Sequence, residues 1–267
     1  MTERPALLDT DEPAPVMVVR EYGASAIFIA CDHAGRRMPR RLGTLGLDEP
    51  DLSRHIAWDI GAWGVSLKLA DALDACAVGQ TYSRLVIDCN RRPEVPSSIP
   101  ETSESTVIPG NQHLTAAERE TRCASIHAPY HAALARLLEQ RRAARRPTML
   151  LAMHSFTPVY KGVARPWHAG VLFNRDDRIA RIMLDLLRAE PGLVVGENEP
   201  YAVSDTTDYT VPVHAEPYHL PHVELEVRQD LIADEAGEAR WAALLARLLP
   251  LACARLPELS PGTAASS

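Results

Sequence analysis

SAIFIACDHAGRR (residues 25–37) and TMLLAMHS (residues 148–155) decide the fold class. Each opens as a short, continuous apolar run and breaks at once into polar residues that include a histidine, His33 in the first and His154 in the second. A run that short with no polar face predicts a strand buried on both sides, the strand type of a parallel sheet covered by helices. Working outward, HAGVLF (168–173), LVVGE (193–197) and HVELEV (222–227) read as further strands, and TYSRLVIDCN (81–90) as a strand with polar ends. Between them lie helical spacings. Residues 58–76 place Trp58, Ala62, Val65, Leu69 and Leu73 on one face, and Thr115 with Glu118 forms a capping box that opens a helical stretch interrupted by Pro129. A helix over 176–189 presents Ile179, Ile182, Met183, Leu186 and Leu187, and a last one runs from about 234 through Trp241, Leu244, Leu245 and Leu248. The expectation is one α/β domain over 1–267, with a core from about 16 to 254 and mobile ends. Its central sheet is mixed, largely parallel and covered by helices on both faces. The Pro/Ser/Thr-rich stretch 93–113 is long for a loop inside a compact domain, so it is either functional or mobile.

Composition narrows the function. The chain has 267 residues, 46% of them apolar, and 28 basic against 35 acidic side chains give a net charge of −7. That balance argues against a nucleic-acid groove or an anionic membrane surface as partner. Only Lys68 and Lys161 are lysines, so the positive charge is arginine, whose planar fork suits carboxylates. Cysteines at 31, 76, 89, 123 and 253 form no CxxC and are odd in number, which speaks against a disulfide framework and for the cytoplasm. The opening MTERPALLDTDEPAP lacks the apolar core of a signal peptide, and no apolar run approaches a membrane span.

In a sheet of this kind ligands sit beyond the carboxyl ends of the strands, so the polar clusters there are the candidate chemistry. A single histidine at a strand end is more often a capping or core hydrogen-bonder; two, each directly after a buried strand, point further. Two imidazoles and a carboxylate make a catalytic zinc site with the fourth position left for water. Arg36 stands where an HxxE motif would put the carboxylate, so Asp59, in HIAWDIGA (55–62), is the candidate third ligand to one Zn²⁺ ion. Glu224 and Glu226 alternate with Val223, Leu225 and Val227, so both carboxylates project to one face, as a general base near a cation would. A salt bridge to an arginine is the competing reading. Arg84, Asn90 and Arg91 could form a clamp for an anionic substrate, or mark a surface edge. Ser155, directly after His154, is grouped with the substrate-binding residues.

The order DHAG…HIAWDIGA…YSRLVIDCNR…MHS…HVELEVRQD resembles the N-formylglutamate amidohydrolase family from about residue 25 to 232. That resemblance implies a phosphorylase/hydrolase-like fold akin to zinc carboxypeptidases and aspartoacylases. It also implies metal binding by His33, Asp59 and His154, and Glu226 as the carboxylate that activates water. By the same resemblance Arg84, Asn90 and Arg91 grip the substrate's carboxylates and His214 stands beside the substrate; within that clamp we expect Arg91 on the α-carboxylate and Arg84 near the scissile carbonyl. The implied reaction is hydrolysis of N-formyl-L-glutamate, a small anionic N-acyl amino acid, to formate and L-glutamate. Two departures stand out. The family's best-known members, in histidine degradation, carry proline where Asp32 stands, and their last strand differs from Glu224-Leu225-Glu226-Val227-Arg228-Gln229. An aspartoacylase-like deacylase and a non-catalytic anion-binding protein are the alternatives. Finally, Arg84 and Arg91 would lie roughly 20 Å apart on an extended chain, so a shared substrate requires a bend near Cys89-Asn90.

Overall fold

The computed structural model describes residues 6–259. In chain order the strands are β1 (Val16–Val19), β2 (Ile27–Cys31), β3 (Cys76–Gln80), β4 (Thr102–Ser103), β5 (Thr106–Val107) and β6 (Met149–Phe156). They continue with β7 (Val159–Tyr160), β8 (Val163–Ala164), β9 (Ala169–Leu172), β10 (Val195–Glu197) and β11 (His222–Arg228). The helices are α1 (Glu49–Leu52), α2 (Ala62–Leu73), α3 (Ala116–Arg122), α4 (Ala128–Ala143), α5 (Arg178–Arg188), α6 (Thr210–His214) and α7 (Glu235–Ala254). Seven strands form one sheet in the order β1-β3-β2-β6-β11-β9-β10. The four central strands, β3, β2, β6 and β11, are parallel; β1 and β9 pair antiparallel to β3 and β11, and β10 runs parallel to β9. The sheet is therefore mixed and largely parallel, as expected.

Both faces are covered. Ile27, Ile29, Leu151, Val223 and Leu225 pack with Val65 and Leu69 of α2, Met183 of α5 and Leu245 of α7. Phe28, Ala30, Val78 and Leu150 face the other way, toward Tyr130, Leu134 and Leu137 of α4. Alternate residues of one strand thus belong to different cores, which is why these strands read as unbroken apolar runs.

Four local expectations are corrected. The helical pattern over 58–76 contains a helix only from Ala62 to Leu73; Asp74 closes it in the left-handed region (φ 49°), and β3 begins at Cys76. The neighbouring TYSRLVIDCN is not a strand. It winds through turns closed by Val86 N–H to Ser83 O (2.9 Å) and Arg91 N–H to Asp88 O (3.2 Å). Its buried carbonyls are satisfied by side chains instead of a neighbouring strand: Asn111 Nδ2 donates to Leu85 O (2.9 Å) and Arg122 to Val86 O (3.1 Å). Asn111 lies in the 93–113 stretch, which this contact ties to the domain. Pro129 does not interrupt the helix after Thr115; a π-helical turn over Cys123–His127 joins α3 to α4, and Pro129 occupies the first turn of α4. A proline there forgoes a hydrogen bond that the register change has already displaced. The start is also docked from residue 6 on: Leu7 is buried, and Pro13 O and Ala14 O accept from Tyr82 Oη and Thr81 Oγ1. The remaining ends, 1–5 and 260–267, where mobility is expected, lie outside the described residues.

Candidate active site

Register does most of the positioning. β11 lies parallel to β6 with Glu226 opposite His154, so both side chains leave the same face of the sheet. His33 stands two residues past the end of β2. Asp59 sits in the turn before α2, its N–H on His33 O (3.0 Å) and its carbonyl accepting from Ala62 N (3.2 Å). Gly61 makes that turn possible, because its φ is +78° and a Cβ there would lie 2.0 Å from Ile232 O.

The three expected ligands converge and are buried. His33 Nδ1 and His154 Nδ1 lie 3.2 and 2.9 Å from the same Asp59 oxygen, Oδ2. Two donors on one tetrahedral zinc lie roughly 3.3 Å apart, so this donor set fits a single shared ion. Each imidazole has a carboxylate behind it. His33 Nε2 contacts Asp88 Oδ1 at 2.7 Å, and His154 Nε2 faces Asp32 Oδ2 at 3.3 Å as an ion pair in which neither atom makes a hydrogen bond. Asp32 is fixed in turn by the Thr210 hydroxyl, which donates to its Oδ1 at 2.6 Å. A carboxylate behind each ligating imidazole is the arrangement that sets the ring's tautomer and raises its basicity. Neither Asp32 nor Asp88 was assigned this part from the sequence; Asp88 four residues after Arg84 was the available signal.

Five buried carboxyl groups, Asp32, Asp59, Asp88, Glu224 and Glu226, share the site with the two imidazoles and the largely buried Arg84. Burial alone would raise the Asp59 pKa, but His33 and His154 hold it below the ordinary carboxylate range. Burial would likewise neutralise His154, yet Glu224, Asp32 and Asp59 keep it well above the usual histidine value. Glu226 is the opposite case. Burial pushes its carboxyl up to about 7, with Asp59 adding to the rise and His154 opposing it, and its Oε2 has no hydrogen-bond partner. Glu224 is pushed further, well above the carboxylate range, by burial with Asp208 and Glu226 adding to it. Of the two, Glu226 is the one poised to exchange a proton near neutral pH.

A cavity of about 570 Å³ contains the triad together with Arg84, Asn90, Arg91, Ser155, Glu224 and Glu226. The expected bend is present: the chain turns through 83–91, and Arg84 and Arg91 both line the cavity. Arg84 is braced by two bonds to Asp88 Oδ2, from Nε at 3.0 Å and a terminal nitrogen at 2.5 Å, and reaches Asp59 Oδ1 at 3.4 Å. Arg91 donates to Asn90 O (3.0 Å) and to Thr207 O. Asn90 is more a brace than a free donor: its Oδ1 accepts from Tyr209 N (2.9 Å) and Thr210 N (3.1 Å), and Nδ2 donates to Asp208 (3.1 Å). Ser155 supports the ligand turn, its N–H on Asp59 Oδ2 (3.3 Å) and its hydroxyl on Ile60 O (2.8 Å). His214 does not line this cavity. Its Nε2–H donates to His131 Nδ1 (2.9 Å), and His131 Nε2–H donates to Cys89 O (2.7 Å), so it backs the loop that carries Asn90. It borders a separate cavity of about 360 Å³ with Leu138, Tyr218 and Leu220.

Residues 25–233 match the model of the family described as N-formylglutamate amidohydrolase. The chain belongs to that family. A solved structure, the gene product Atu2144 from Agrobacterium tumefaciens, is 38% identical, with a TM-score of 0.90 over 93% of this chain and 98% of that one. The N-formylglutamate amidohydrolase from Ralstonia eutropha JMP134 is 19% identical, with a TM-score of 0.62 over 90% of this chain and 97% of that one, a likeness of fold. No curated protein matches the sequence. Membership makes the chain an amidohydrolase by family, and no helix among the described residues is long and apolar enough to cross a membrane.

Proposed function

We propose that this protein hydrolyses N-formyl-L-glutamate to formate and L-glutamate with one zinc ion held by His33, Asp59 and His154. Glu226 carries the reading: a buried carboxyl with a free oxygen, held near neutrality, in register with a ligand histidine and inside the same cavity as two arginines. A bound divalent ion would polarise the formyl carbonyl and acidify a water. Glu226 takes the proton from the attacking water and hands it to the nitrogen as the C–N bond breaks, so water is consumed and formate and the free amine leave. Arg84, immobilised by Asp88, stabilises the negative charge that develops on the carbonyl oxygen. Arg91 binds the α-carboxylate, and Asn90, His214 and His131 keep its loop in place. The family match and the five free cysteines support a small anionic N-acyl amino acid as partner and the cytoplasm as the compartment.

A cavity of about 570 Å³, within the roughly 300–1,000 Å³ of small-molecule sites, also has room for a larger acyl group, which keeps an aspartoacylase-like deacylase as the second reading. Elemental analysis of the purified protein and product release from a panel of N-acyl amino acids, N-formyl-L-glutamate and N-acetyl-L-aspartate among them, test both. Stoichiometric zinc with formate release is the expected result. Zinc without turnover on any member would replace the enzyme by an anion-binding protein, and protein without affinity for zinc would remove the metal from the reading.

A further inference from the structure

A substrate with two carboxylates needs two cationic partners, and the arginines already described do not supply both. Arg84 is committed to Asp88 and Asp59, which leaves Arg91 for one carboxylate. Another guanidinium packs against residues of the cavity lining. β7 and β8 form a tight hairpin in which Lys161 (φ 47°) and Gly162 (φ 79°) are the two turn residues, the left-handed pair that a two-residue hairpin loop requires. The hairpin returns the chain so that Arg165 N–H donates to Pro158 O at 2.9 Å. The Arg165 guanidinium is thereby set 4.7 Å from the ring centres of both Tyr160 and Tyr201, and 5.8 Å from that of Phe156. Those three rings line the cavity that holds the triad.

Arg165 is 9% exposed, yet no carboxylate among the described residues lies within ion-pair distance of it. Its one guanidinium hydrogen bond goes from NH1 to the Tyr201 hydroxyl at 2.9 Å. The other buried arginines bond mainly to backbone carbonyls, although Nη1 of Arg141 has no partner. Arg122 donates to Val86 O, Asn111 Oδ1 and Gly110 O, and Arg141 to Thr148, Ser25 O and Pro147 O, which marks them as structural. Aromatic faces attract a guanidinium but cannot neutralise it, so Arg165 presents a whole positive charge with donors to spare. Its unpaired nitrogens retain some exposure, so an incoming anion can reach them and form charge-assisted hydrogen bonds. The Tyr201 hydroxyl accepts from Arg165, so its own hydrogen remains to be donated to the same anion.

We propose that Arg165, clasped by Tyr160 and Tyr201, is the subsite for the side-chain carboxylate of the substrate and selects acidic over neutral N-acyl amino acids. The inference rests on the function proposed above and names the residue that makes that function specific. Arg165→Gln in the zinc-loaded full chain is to be compared with the unmodified protein on N-formyl-L-glutamate and N-formyl-L-glutamine. The ratio of kcat/KM for the two substrates falls tenfold or more, chiefly through KM for the acidic one. An unchanged ratio, or equal losses on both substrates, overturns the proposal. Calorimetry with glutarate and butyrate separates this from the catalytic reading, since it requires no turnover. The unmodified protein binds glutarate at least tenfold more tightly than butyrate, and Arg165→Gln abolishes the difference. Equal affinity for the two acids in the unmodified protein sinks the subsite even if formate is released. Should Arg165→Gln fail to fold, Tyr201→Phe, read on the same substrate ratio, decides: a fall of threefold or more supports the subsite and no change refutes it.

Discussion

Replacing Asp32 with Asn tests the least familiar part of the proposed metal site. Asp32 Oδ2 lies 3.3 Å from His154 Nε2, and no other cation forms an ion pair with it among the described residues, so its charge acts on that imidazole. Asp88, the counterpart behind His33, is partly neutralised by Arg84. Asn keeps the shape and one oxygen but removes the charge. If that oxygen stays with Thr210 Oγ1, the Asn amide N–H turns toward His154 Nε2, where the ring's own N–H would have to be. The tautomer that leaves Nδ1 free for the ion is then disfavoured. Partners of this kind are typically worth about 10–100-fold in metal affinity, or about 1.4–2.7 kcal/mol. Asp32→Asn should therefore weaken zinc binding by an amount in that range without abolishing it. Competition against a chelator of known zinc affinity measures the change, and thermal unfolding of the zinc-free protein controls for packing. A zinc affinity within twofold of the unmodified protein would refute the role given to Asp32.

Three further outcomes follow from the site. Glu226→Gln keeps zinc and substrate affinity while kcat drops by on the order of 10²–10⁴-fold; undiminished turnover would move the base to Glu224. Arg91→Lys raises KM for every anionic substrate because an ammonium cannot make the two-pronged carboxylate contact, whereas unchanged KM would dissolve the clamp. Burial holds His131 down to about 3 and His214 down to about 4, so the unfolded chain binds protons that the folded one does not. Stability is then intact above about pH 6.5 and is lost as pH falls through that value toward 4 and 3. Urea midpoints measured from pH 7 to pH 4 should fall less steeply in His131→Gln; identical slopes would exclude the pair as the cause.

The central strands were legible because burial on both faces leaves no polar residue in the run, as in residues 27–31 and 149–153. β3 was not, because only Asp74 and Ala75 separate it from α2, and its apolar residues continue the helical pattern without a break. Leu85, Val86 and Ile87 misled in the opposite direction: three consecutive buried residues look like a strand, yet their backbone is held by Asn111 and Arg122, whose positions along the chain give no hint of it. The same limit applies in the site. His33 and His154 announce themselves by ending apolar runs, while Asp32 against His154 and Arg165 against Tyr201 are contacts across the fold that no local period encodes. Glu226 is the instructive exception, since its placement follows from a local pattern. Val223, Leu225 and Val227 are drawn into the core with α5 and α7, which forces Glu224 and Glu226 to the opposite face. A slip of one residue between β11 and β6 would bury both carboxylates in that core and turn the valines into the cavity. The apolar stripe that stabilises the sheet is thus also what aims the proposed base, and for that reason the base could be read from the sequence when its neighbours could not.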